Sequence, residues 1–150
     1  MKQTHGTLHA TSGDAEDAFY AALARGDVNT LMALWADDED VVCVHPGGAR
    51  FVGVRAIRES YAHVLANGPL RIAVRDLRVQ SGVMVAVHSL VEHIEIAAAR
   101  RASRIVQVVT TNVYMKGPDG WRIVLHHASP GETTERQLSP PADRPSGRLH

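Results

Sequence analysis

The chain has 150 residues, 45% hydrophobic and 21% charged, with sixteen basic side chains against sixteen acidic ones and a formal net charge of zero. That length predicts one domain burying roughly 70% of its unfolded surface, and the ordinary composition and even charge exclude a disordered chain or a surface built to wrap nucleic acid. A single cysteine, Cys43, excludes a disulfide framework and a thiolate metal site, and no apolar run approaches the ~20 residues that cross a bilayer.

Residues 1–12 are small and polar and read as a flexible tail without the basic-then-apolar order of a secretory signal, so a cytoplasmic location is the expectation. Ala15, Ala18, Phe19, Ala22 and Leu23 then recur at helical spacing. Asp14, Glu16 and Asp17 crowd the start of that helix, where its dipole favours negative charge, and Gly26 ends it. Asp27 caps a second short helix with Val28, Leu31, Leu34 and Trp35 inward. Val41–His45 reads as a β-branched strand stopped by Pro46-Gly47-Gly48, and Phe51-Val52 as a second short one. A third helix over 54–66 places Ile57, Tyr61, Val64 and Leu65 on one face, and Asn67-Gly68-Pro69 breaks it.

From Leu70 the period changes to that of strands: 70–80, 83–96, 105–116 and 121–128, joined by short connections that predict an antiparallel meander. Arg100, Arg101 and Arg104 fall in one of these connections and read as a solvated loop. Helices first and strands after predict an α+β domain over 13–130, three helices packed on a curved, mainly antiparallel sheet. Residues 131–150, rich in Pro, Ser and Arg, read as a second flexible tail. The strands carry apolar residues on both faces, Val106 and Val108 opposite Val109 and Val113, whereas helices cover only one. A second copy of the sheet is the simplest cover for the other, which predicts a homodimer through the sheet face.

The string "ALARGDVNTLMALWADDEDVVCVHPGGARFVGVRAIRESYAHVLANG" resembles the opening of SnoaL-like and ketosteroid-isomerase-like proteins of the nuclear transport factor 2-like superfamily. The closing "TTNVYMKGPDGWRIVLHHASP" is similar to their final hairpin. The resemblance spans about residues 14–130 and implies a cone-shaped, cystatin-like roll with a cavity between helices and sheet. It implies no single activity, since one fold hosts many. Ketosteroid isomerases place an Asp before the proline as their base, where this chain has His45 before Pro46. Their catalytic Tyr position matches Phe19, with Tyr20 one place off. Both departures argue against ketosteroid isomerase activity.

Counting back from the turn at Gly117–Gly120 pairs Lys116 with Trp121, Tyr114 with Ile123, Asn112 with Leu125 and Thr110 with His127. Trp121, Ile123 and Leu125 are bulky and should face the helices, which places Thr110, Asn112, Tyr114 and His127 toward the cavity and His126 toward the outer face. Strand alternation parts His126 from His127, and no histidine shows a metal-ligand spacing, so no metal is expected. His88 and Glu92 share parity on one strand, with the face left open. His45, at the end of the first strand, is either a base titrating near neutral pH or a partner for the turn backbone. Trp35 and Tyr61 are core residues or the flat walls of a ligand site. Asn112 needs partners or a ligand to orient.

The candidate machinery is therefore His45 and His127 as acid–base residues, with Trp35, Tyr61, Thr110, Asn112 and Tyr114 around a small apolar ligand. It would act without a cofactor as an isomerase, dehydratase or cyclase on a small carbonyl compound. The alternative is a non-catalytic binding or dimeric scaffold module. A third possibility is a protein partner for the Pro-rich tail.

Overall fold

Thr11 opens the first helix by accepting a hydrogen bond from Asp14 N at 3.0 Å, and Gly26 closes it in the left-handed conformation at φ 66°. The computed structural model describes residues 8–97 and 102–137. Helix α1 (Ser12–Arg25) is followed by α2 (Val28–Ala33), strands β1 (Val42–Val44) and β2 (Arg50–Val52), and α3 (Val54–Val64). Four long strands complete the chain: β3 (Ile72–Ser81), β4 (Val85–Ala97), β5 (Ala102–Gly117) and β6 (Gly120–Gln137). The three helices and six strands are those the sequence predicts, and the class is α+β with a curved open sheet. The sheet order is β2-β1-β6-β5-β4-β3, antiparallel except where β1 lies parallel to β6.

Phe19, Leu31, Trp35, Ile57, Tyr114 and Ile123 are sealed between the helices and one sheet face. Burial of each such side chain contributes about 1.5–3 kcal/mol of hydrophobic free energy. On β4 the inward set is Ala86, His88, Leu90 and Glu92, and on β5 it is Val108, Thr110, Asn112 and Tyr114. The opposite face carries Val85, Val87, Val109, Val113 and Met115, all partly or fully exposed.

The structure departs from the sequence reading at three places. Helix α1 begins at Ser12, which is buried rather than part of a tail. Strand β6 runs past the boundary expected at 130 to Gln137, because β5 is long enough to supply partners as far as Ala102. The remainder of both expected tails, residues 1–7 and 138–150, and the cations Arg100 and Arg101 lie outside the described residues.

The third departure is one of register. The pairs Lys116↔Trp121 and Tyr114↔Ile123 are as predicted, but a bulge then makes Val124 an extra residue, giving Val113↔Leu125, Asn112↔His126 and Thr110↔Ala128. An extra residue in one strand flips the parity of everything beyond it. Leu125 and His127 consequently turn outward and His126 turns inward, which corrects the expectation for all three.

Candidate functional site

A row of polar side chains crosses the interface between α1 and the sheet. Ser12, Glu16 and Tyr20 occupy positions i, i+4 and i+8 of α1, one stripe on the helix surface, and all are buried. Facing them are His88 and Glu92 of β4, Asn112 and Tyr114 of β5, and His126 of β6. The Tyr20 hydroxyl donates to Glu92 Oε2 at 2.8 Å and accepts from Asn112 Nδ2 at 3.1 Å. The same amide reaches Glu16 Oε2 at 3.4 Å, and the Tyr114 hydroxyl donates to that oxygen at 2.9 Å. On its other side Asn112 Oδ1 meets His126 Nδ1 at 2.6 Å. An amide oxygen only accepts, so the His126 proton sits on Nδ1.

Burial governs the proton affinities. It pushes Glu92 up to about 7, with repulsion from Glu16 adding to it and the Tyr20 and Thr110 hydroxyls opposing it. Thr110 Oγ1 lies beside the carboxyl without making a well-aligned hydrogen bond of its own. His126 is pushed down to about 3, first by burial and then by the neighbouring imidazoles of His45 and His127. Burial raises Tyr20, with Glu92 adding to it, and raises Tyr114, with Glu16 adding to it.

A second group lies where α3 meets β1. His45 is half-buried, and its Nε2 lies 2.9 Å from Ser60 Oγ. The Ser60 hydroxyl donates to Ile57 O at 2.7 Å, so it accepts from His45 and fixes the proton on Nε2. His45 Nδ1 is left without a partner among the described residues. Its ring meets Tyr61 edge-on at 4.9 Å and stands 6.5 Å from His126, and burial lowers its pKa. The Cys43 thiol donates to the Tyr61 hydroxyl at 3.6 Å, and burial pushes it up to about 12. Trp35 packs on Tyr61 with its Nε1 buried and unpartnered among the described residues.

Of the residues singled out in the sequence, Trp35, Tyr61, Thr110, Asn112 and Tyr114 are all buried on the helix-facing side. His45 and Asn112 stand on either side of a histidine, but that histidine is His126, since His127 is exposed on the outer face. Sequence reasoning passed over Ser12, Glu16, Tyr20 and His126 as members of the site, and left open the face of His88 and Glu92, which the structure turns inward. One signal for Glu16 was present: it sits one turn from Ser12 and Tyr20 and beside the apolar stripe Ala15–Phe19–Leu23. A surface hollow of about 690 Å³ lies elsewhere, lined by Asp37–Glu39, Val52–Ala56 and Glu59.

Residues 14–132 match the model of the SnoaL-like domain. The chain belongs to the SnoaL-like family. Among solved structures, this SnoaL-like chain is similar to a candidate calcium/calmodulin-dependent protein kinase type II association domain from Thiobacillus denitrificans. The two share 34% identity over 83% of this chain and 98% of that one, with a TM-score of 0.75. It is similar also to a candidate dehydratase of the NTF2-like family from Streptomyces avermitilis, at 35% identity over 80% and 93% of the two chains and a TM-score of 0.71. A candidate ketosteroid isomerase from Parabacteroides distasonis shares the fold, at 19% identity, 86% and 98% coverage and a TM-score of 0.63. No curated protein matches this SnoaL-like chain. Among the described residues, no helix is long and apolar enough to cross a membrane and no cluster of side chains suits a metal ion.

Proposed function

We propose that this SnoaL-like chain is a cofactor-independent acid–base enzyme of the isomerase, dehydratase or cyclase type, acting on a small apolar carbonyl compound. The observation that carries the reading is the buried Tyr20–Glu92 pair, a hydroxyl and a carboxyl with a proton affinity near neutrality, linked through Asn112 to His126. A carboxyl that keeps its proton near pH 7 can donate a hydrogen bond to a developing oxyanion, while Tyr20, whose one O–H goes to Glu92 Oε2, holds that carboxyl in place. His45 supplies the base: its Nδ1 has no partner among the described residues, and it is half-buried where Tyr20, Glu92, Asn112 and His126 are buried, which makes it the most accessible of these groups. Trp35, Tyr61, Thr110, Asn112 and Tyr114 supply the walls and orienting groups of the ligand site.

Exchange of α-protons for deuterium in a panel of enolisable ketones, followed by NMR, tests the proposal. His45→Ala and Glu92→Gln should each lower the exchange rate about 10²–10⁴-fold, the usual contribution of one positioned proton-transfer group. Rates equal to wild type in both variants would discard it. A small molecule retained through native mass spectrometry, with no exchange, would favour the binding module instead.

The apolar outer face favours a homodimer. Val109 is 50% and Met115 46% exposed on the side of the sheet away from the helices. An open apolar patch of this kind is the usual mark of a protein–protein contact.

A further inference from the structure

Three side chains near the start of α1 stand in a row that the acid–base reading does not use. His88 Nε2 lies 2.9 Å from the Ser12 hydroxyl oxygen, and His88 Nδ1 lies 2.9 Å from Glu16 Oε2. One tautomer suits both neighbours, with the proton on Nδ1 toward the carboxylate and the Nε2 lone pair toward the hydroxyl. The Nδ1 contact is bent away from the ring N–H axis, a looseness that catalytic hydrogen bonds commonly show before substrate tightens them. Glu16 is itself held in place by Tyr114 at 2.9 Å and Asn112 at 3.4 Å. Hydroxyl, imidazole and carboxylate in that order are the parts of an activated serine, recognised by geometry and role rather than by chain order.

The surroundings suit a nucleophile. Ser12 is 8% exposed and stands between Thr11 and Gly13, which are both exposed. A Cβ placed on Gly13 would meet nothing nearer than Thr11 Oγ1 at 3.8 Å, so the space beside Gly13 is open among the described residues. Thr11 takes the N–H groups of Asp14 and Ala15. Those of Ser12 and Gly13 have no partner among the described residues. N–H groups in the first turn of a helix that lack a partner among the described residues are ready donors to an oxyanion.

We infer that Ser12, His88 and Glu16 form an acyl-transfer centre for small, unhindered carboxylic esters, with Ser12 as the nucleophile. Ser12 Oγ bonds to the carbonyl carbon as its proton passes to His88 Nε2, and the carbonyl electron pair moves to the oxygen beneath the Ser12 and Gly13 N–H groups. The bond from that carbon to the alcohol oxygen then breaks, and the leaving alcohol takes the proton from His88. Water repeats the sequence on acyl-Ser12, giving its proton to His88, bonding to the acyl carbon and releasing the carboxylic acid as Ser12 regains its proton. Ester and water are the only reactants. The narrow exposure at Ser12 selects a short acyl group.

Incubation of the full chain with 4-nitrophenyl acetate tests this centre. The expected result is a burst of about one nitrophenolate per chain, with the acetyl group mapped to Ser12 by peptide mass spectrometry. Ser12→Ala should abolish the burst, and His88→Gln and Glu16→Gln should slow acylation about 10²–10⁴-fold, with circular dichroism reporting whether each variant keeps its fold. Ser12→Cys retains a nucleophile at the same position and should carry a thioacetyl there even if the alanine variant unfolds. Acetyl found on Lys116 or a histidine instead of Ser12, an equal burst from Ser12→Ala, or unchanged acylation in folded His88→Gln would each overturn the inference.

Discussion

A carboxyl sealed beneath α1 holds on to its proton, while an imidazole sealed nearby gives its own up. Glu92 stands at about 7 against an ordinary 4.5, so between those pH values the unfolded chain has released a proton that the folded chain keeps. Its contribution to stability is fully present below pH 4.5 and is lost as pH rises through 7, by about 3 kcal/mol in all. His126 stands at about 3 against 6.5, which reverses the sign. Its contribution is fully present above pH 6.5 and is lost as pH falls toward 3. Between 4.5 and 6.5 the two slopes oppose each other. Urea unfolding should therefore show stability rising steeply from pH 3 to 4.5 and then nearly level. In Glu92→Gln the rise should continue to about 6.5, so that its stability relative to wild type grows by about 3 kcal/mol between pH 4.5 and 7. A difference between the two proteins that is constant with pH would mean that Glu92 titrates as a solvated carboxyl.

Helix α1 aims Ser12, Glu16 and Tyr20 at the sheet, so the order of its ends matters to the whole polar row. Thr11→Ala removes the cap on Asp14 N and should lower stability by about 1 kcal/mol. Gly26→Ala places a Cβ on a residue at φ 66° and should cost about 1–2 kcal/mol; urea midpoints measure both. Helix and strand periods were legible because they are repeated along each segment: Phe19 and Leu23, or Val108 through Tyr114, declare their faces several times over. The site was less legible because it depends on single events. Nothing in Ile123-Val124-Leu125 marks Val124 as a bulge, since neither a glycine nor a break in hydrophobicity accompanies it, yet that one residue decides which of two adjacent histidines meets Asn112. The shared parity of His88 and Glu92 was plain in the sequence. The face they take is set by the tertiary partners Glu16 and Tyr20, a helix away in space and more than seventy residues away in sequence.

Over the whole molecule, the helices cover one side of the sheet and leave Val85, Val109 and Met115 on the other. If that side meets its counterpart in a second copy, Val109→Glu together with Met115→Glu should convert a dimer into a monomer in analytical ultracentrifugation while the circular dichroism spectrum is kept. A monomeric wild type would refute the pairing.

The strand order has its own consequence for how the chain comes to life. Strand β6, the last of the described strands to be synthesised, is the one on which β1 docks, and through β1 also β2. The first half of the polypeptide emerges from the ribosome with no seat on the sheet until the second half has followed. Closing so long a loop is entropically slow. The nascent α1 meets its partners Glu92 and Tyr114 on β4 and β5 first, but the β1–β2 pair has no strand to join until the final one arrives.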